Sequence, residues 1–236
     1  MGIVVVSGAS GAFGPTLVKY LVARGDRVAA FGSRSSQETL WALQKELGAN
    51  CLAIPFDGTS AAEWTAALQR VEQDLGSPTG GALLAGGFAG GHPLHETDDA
   101  TWQRMLTVNL ETARRGLQAL LPGMISRQSG SIVVVGSQVV ERPWKGAGSA
   151  AYTASKAAVV AMAQAAAAEA SVKGVRINAV LPSAIDTPSN RAAMPKADPK
   201  KWISPDSLAE VIGFLLSQAA KDISGVALPV YGQVLS

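Results

Sequence analysis

Tyr152 and Lys156 stand four residues apart at the start of an alanine-rich stretch. On a helix, positions i and i+4 share a face, so the phenol and the ammonium become neighbours. A tyrosine with a pKa near ~10 exchanges protons poorly at neutral pH. A nearby cation favours the phenolate, which suits the pair to trading a proton with a substrate oxygen. The spacing alone is common, and an ordinary surface pair has it too. Its context gives it meaning: Ser137 follows the apolar run 131–135, so a strand there carries the hydroxyl to the C-terminal edge of a sheet. Ligands bind at that edge in open α/β sheets.

The second chemical feature is the turn Ser7-Gly8-Ala9-Ser10-Gly11-Ala12-Phe13-Gly14. It lies between an apolar run at 2–7 and helical spacing at 12–24. Glycines let a backbone approach a diphosphate, and a helix N-terminus offers free N–H groups and a positive dipole end. An ordinary tight turn would also use glycine, but a place at the first crossover of a βαβ pattern favours nucleotide binding. An acidic residue after the second strand would bind the adenosine ribose hydroxyls. The chain has Phe31-Gly32-Ser33-Arg34-Ser35 there. Ser33 and Arg34 suit a 2′-phosphate, so NADP(H) is expected, with NAD(H) as the alternative.

Alternating elements must position these groups. Strands are expected at 2–7, 27–31, 50–54, 81–85, 131–135, 175–181 and 226–230. Helices are expected at 12–24, 37–47, 61–75, 100–127 (bent near Pro122), 150–173 and within 205–218. Apolar strands separated by helices imply a parallel sheet covered on both faces. One α/β domain of doubly wound, Rossmann type is expected over 1–236, with about seven strands. The segment 183–203 is long, holds three prolines and reads as a lid within that domain. Trp41, Trp64 and Trp102 fall in helical patterns as packing residues, whereas Trp144 and Trp202 lie in loops that flank the expected site.

Composition narrows the classes. The 236 residues carry a formal charge of +2, with no basic run that would point to nucleic acid. The single cysteine, Cys51, excludes an internal disulfide. His92 and His95 read as solvated loop residues, because no third metal ligand is spaced with them. No apolar stretch approaches ~20 residues, so no membrane span is expected. The N-terminus lacks the pattern of a signal peptide, and the chain reads as cytoplasmic.

Taken together, these motifs resemble the short-chain dehydrogenase/reductase family over essentially the whole chain. The 7–14 turn is similar to that family's TGxxxGxG, with Ser7 for threonine and Ala12 for the middle glycine. The resemblance implies a catalytic tetrad of Asn109, Ser137, Tyr152 and Lys156. In it Ser137 holds the substrate oxygen, Tyr152 passes the proton, Lys156 also binds the nicotinamide ribose, and Asn109 supports a water-linked proton relay. The stretch from Ser137 to Tyr152 is longer than the family's usual spacing, which places an insertion in the 141–148 loop. The resemblance implies cofactor contacts at Gly8, Ser10, Ala12, Phe13 and Gly14 in the turn, and at Ser33, Arg34 and Asp57 beyond it. Ala85, Gly86, Pro182, Ile185 and Thr187 complete that set, with Tyr152 and Lys156. A homodimer or homotetramer is implied as well, built on the helices bearing Asn109 and the 165–168 alanine run.

Segments 85–91 and 181–202 are further similar to dihydropteridine reductases, although those enzymes generally lack the tetrad serine and asparagine and carry an acid after the second strand. Three functions follow: an NADP(H)-dependent ketone or aldehyde reductase, with a small carbonyl or alcohol substrate; a quinonoid dihydropteridine reductase; and a non-catalytic dinucleotide sensor. The first accounts for all four tetrad positions.

Overall fold

A computed structural model describes residues 2–233. Seven strands form one parallel sheet in the order β3-β2-β1-β4-β5-β6-β7. They are β1 (Ile3–Ser7), β2 (Arg27–Gly32), β3 (Cys51–Pro55), β4 (Gly80–Leu83), β5 (Gly130–Val135), β6 (Val175–Pro182) and β7 (Ala227–Val230). The order reverses between β1 and β4, and this opens the crevice in which such sheets bind ligands.

Side chains alternate across the sheet. Val5, Ala29 and Phe31 enter one core layer, while Val4, Val6, Val28 and Ala30 enter the other. The first layer is covered by α3 (Ala61–Asp74), α5 (Thr112–Ser126) and α6 (Ala150–Ser171). The second is covered by α1 (Gly14–Ala23), α2 (Gln37–Leu47) and α8 (Pro205–Leu216). The strands are apolar on both faces because both faces are buried.

Four details differ from the sequence reading. The fourth strand stops at Leu83, which frees Ala85 to line the crevice. The long helix departs from regular α geometry well before Pro122. After α4 (Asp99–Met105) it passes through a π-helical turn at Leu106–Glu111 and then continues as α5 past Pro122. The proposed lid contains α7 (Pro188–Ala193), and its two ends are joined by a bridge between Ile185 and Ile203. Finally, Trp64 is buried as expected, but Trp41 is 53% exposed and Trp102 is exposed too. Leu40 and Leu43 hold the buried face of α2, which leaves Trp41 on the outer side.

Candidate active site and cofactor cleft

The turn after β1 is shaped by what cannot be added to it. Gly8 has φ +78°, and a Cβ there would lie 2.7 Å from the Ala85 amide nitrogen. A Cβ on Gly14 would lie 2.3 Å from the Ala9 carbonyl oxygen. Only bare backbone permits both the left-handed turn and the close start of α1. No side chain caps α1, Pro15 occupies its first turn, and the buried Ser7 hydroxyl has no hydrogen-bond partner among the described residues. An anionic group with acceptor oxygens suits this end.

A cleft of about 490 Å³ opens beside the turn. Its walls include Gly8 and Ser10, Ser33 and Arg34 after β2, Asp57 after β3, and Ala85 and Gly86 after β4. The Asp57 wall rests on an aromatic trio: Phe56 and Trp64 rings lie 5.0 Å apart, both near Phe31, and Trp64 Nε1 donates to the Gly58 carbonyl. Thr59 donates its amide and its hydroxyl to Asp57, which holds that carboxyl below its usual pKa. Ala12 is exposed and Phe13 packs toward the α1 core, so neither is a wall of this cleft. A larger cavity, about 760 Å³, opens at the opposite, N-terminal edge near Arg24 and Arg176. It holds none of the chemistry singled out above.

Gly86 lies between the cleft and the Asn109 and Lys156 side chains. A Cβ at that position would stand 2.6 Å from Asn109 Oδ1 and 3.2 Å from Lys156 Nζ. Asn109 is buried in the π-helical turn. Its Oδ1 accepts the Gly87 amide, and its Nδ2 donates to the Gly87 carbonyl and to Ser155 Oγ. Ser155 Oγ in turn donates to the Tyr152 carbonyl at 2.7 Å. Asn109 thus pins the loop after β4 to the first turn of α6.

Tyr152 and Lys156 share a face of α6, and the ammonium is tied to the backbone of β5. Lys156 Nζ donates to the Val135 carbonyl at 2.8 Å, and burial lowers its pKa to about 8. Burial raises the pKa of Tyr152, and the neighbouring Ser137 hydroxyl opposes that rise. The Phe88 ring, itself 67% exposed, meets the Tyr152 ring edge-on at 5.0 Å. Ser137 therefore reaches Tyr152 despite the longer loop between them.

Beyond β6 the arrangement is one of tethers. Pro182 ends the strand, and Ser183 donates its hydroxyl to the Tyr231 carbonyl. Thr187 is buried and caps α7 by accepting the Asn190 amide. Asn190 donates to the Ile185 carbonyl. Tyr231 donates its phenol proton to Glu141, and Arg142 lies 5.6 Å over the Tyr231 ring. Trp144 is 71% exposed in the same loop. Pro182, Ile185 and Thr187 lie off the 490 Å³ cleft, on the far side of β5. His92 and His95 are both exposed.

With this geometry in place, the sequence matches the short chain dehydrogenase model over residues 2–198. The chain belongs to the short-chain dehydrogenase/reductase family. It is 30% identical to the 2-(S)-hydroxypropyl-CoM dehydrogenase 3 of Xanthobacter autotrophicus, over 98% of this chain and 95% of that one. A short-chain oxidoreductase from Burkholderia thailandensis superimposes with a TM-score of 0.87 at 32% identity, covering 99% of this chain and 92% of that chain. The 3-ketoacyl-(acyl-carrier-protein) reductase from Brucella melitensis, complexed with NADH, gives a TM-score of 0.84 at 26% identity over 98% and 97%. This short-chain dehydrogenase/reductase is accordingly an NAD(P)-dependent oxidoreductase. No helix among its described residues is long and apolar enough to cross a membrane.

Residues that the sequence reading missed are Ser155, Glu63, Glu141 and Tyr231. Ser155 lies within the tyrosine–lysine motif, and Ser60 with Glu63 is a readable helix-start pattern. Nothing local joins Glu141 to Tyr231, which are 90 positions apart.

Proposed function

We propose that this enzyme reduces a ketone or aldehyde with NADPH, and that Tyr152 donates the proton. The observation that carries the reading is the half-buried Tyr152 phenol facing Ser137, one helical turn from a Lys156 ammonium that abuts Gly86 on the cleft wall. The nicotinamide, when bound, supplies the hydride to the carbonyl carbon. The 7–14 turn and the N-terminus of α1 would hold the diphosphate, and Asp57 the adenosine end. Ser137 donates a hydrogen bond to the carbonyl oxygen, and Tyr152 passes its proton to that oxygen as the alcohol forms. The raised pKa of Tyr152 keeps the phenol protonated at neutral pH, which suits reduction. Lys156 would bind a ribose hydroxyl, and Asn109 holds the Gly87 backbone beside it. Pro182, Ile185 and Thr187 would border the nicotinamide, under a lid at 183–203.

The choice of NADP(H) rests on Ser33 and Arg34, which are exposed on the cleft wall in a segment 31–35 that contains no acidic residue. A homo-oligomer belongs to the same reading, because Ala165 and Ala168 leave a smooth outer face on α6. A monomer in a size measurement removes that part. The test of function is a carbonyl panel assayed with NADPH and NADH. Turnover of ketones with NADPH, lost in Tyr152→Phe, supports the reading. NADH preference with turnover of a quinonoid pterin replaces it, and cofactor binding without any turnover makes the chain a sensor.

A further inference from the structure

Arg34 is not idle on the cleft wall. Its guanidinium is 61% exposed and donates through Nη2 to Glu63 Oε2 at 2.7 Å. Glu63 lies in the first turn of α3, where Ser60 caps the helix by accepting the Glu63 amide. A glutamate at this place ordinarily reaches back to the cap residue's own amide. Here the Ser60 amide goes to the Asp57 carbonyl instead. The Glu63 oxygen that holds Arg34 also accepts the Asp57 amide at 2.8 Å. One carboxylate oxygen thus ties together two walls of the cleft, while Glu63 itself stands behind them.

We propose that Glu63 is a specificity-determining residue for the cofactor, holding Arg34 in an ion pair that a 2′-phosphate must contest. This inference rests on the reading that Arg34 is the phosphate ligand. The Asp57 amide and the Arg34 guanidinium both hold Glu63 below the usual carboxylate range, so it is negative throughout the neutral region. A phosphate arriving at Arg34 meets that charge within the breadth of one guanidinium, and like charges repel. The existing pair is exposed and weak, so it opens, but the repulsion stays. Discrimination between two cofactors is a difference of affinities, and a repulsive group sets it as much as an attractive one. Glu63 therefore weakens NADPH relative to NADH, and leaves the chain less selective than Ser33 and Arg34 alone would make it. The opposite role, aiming Arg34 at the phosphate, predicts the opposite sign.

Glu63→Gln separates the two, because it keeps a carbonyl oxygen for the Asp57 amide and removes only the charge. Binding of NADPH and NADH is read by nicotinamide fluorescence in wild type, Glu63→Gln and Arg34→Ala, with melting curves to verify folding. The expected result is NADPH binding about tenfold tighter in Glu63→Gln, NADH within about twofold, and a gain that shrinks in high salt. Weaker NADPH binding in Glu63→Gln overturns the inference. Unchanged NADPH binding there, with loss in Arg34→Ala, also overturns it but leaves Arg34 as the phosphate ligand. Unchanged NADPH binding in Arg34→Ala overturns both.

Discussion

The two ends of the crevice are built differently. At the turn after β1 the shape comes from backbone: a left-handed Gly8, a Gly14 that lets α1 start against Ala9, and a turn closed by its own amides. On the β4–β7 side it comes from side chains that join distant segments. Asn109 grips Gly87 and Ser155, Glu141 accepts from Tyr231, and Ile185 bridges to Ile203. A backbone-built site tolerates almost no substitution and serves any molecule with the same diphosphate. A tethered site can change its loops one at a time, which is the freedom a substrate pocket requires.

The largest effect should come from breaking the backbone side. Gly14→Val places carbon where the Ala9 carbonyl stands, and the expected cost exceeds the roughly 1–3 kcal/mol of ordinary overpacking. Chemical denaturation should show a large loss of stability, and titration should show no cofactor binding. Next is Ser137→Ala, expected to lower kcat by about 10²–10³-fold with cofactor affinity retained. A parallel loss of NADPH binding would mean that the two sides are not separable.

Lys156 sharpens the comparison through pH. Its value is about 8 against a usual 10.5, so the folded chain disfavours the ammonium. Between those two values the unfolded state holds more protons, and the Lys156 contribution to stability rises with pH there. Melting of the cofactor-free protein should show this rise, and Lys156→Met should lack it. Activity that needs the ammonium should fall as pH climbs through about 8, and Lys156→Arg should move that limit upward. The smallest effect is expected for Tyr231→Phe. It removes one hydrogen bond, worth about 1 kcal/mol, or roughly 2–4 °C in Tm. Turnover should drop severalfold with NADPH affinity unchanged.

This contrast also governs what the sequence discloses. The glycine turn, the sheet and the tyrosine–lysine pair are local patterns, and each is found where the residues place it. The helix at Pro188 was hidden because proline reads as a breaker, although in a first turn its missing N–H costs nothing and Thr187 supplies the cap. The π-helical turn at Asn109 has no signature in spacing. The i+4 rule put Lys156 on the same helical face as Tyr152, but could not tell that the ammonium turns to the Val135 carbonyl or that Ser137 is the group opposing the rise in the phenol's pKa. Pairs such as Arg34 with Glu63, 29 positions apart, need the fold before they can be seen.

The most direct measurement is a single turnover of Tyr152→Phe with bound NADPH and a ketone that the wild type reduces. Hydride transfer slowed by about 10²–10⁴-fold, with cofactor affinity within about twofold of wild type, is the predicted result. Near-normal transfer in that variant would contradict Tyr152 as the proton donor.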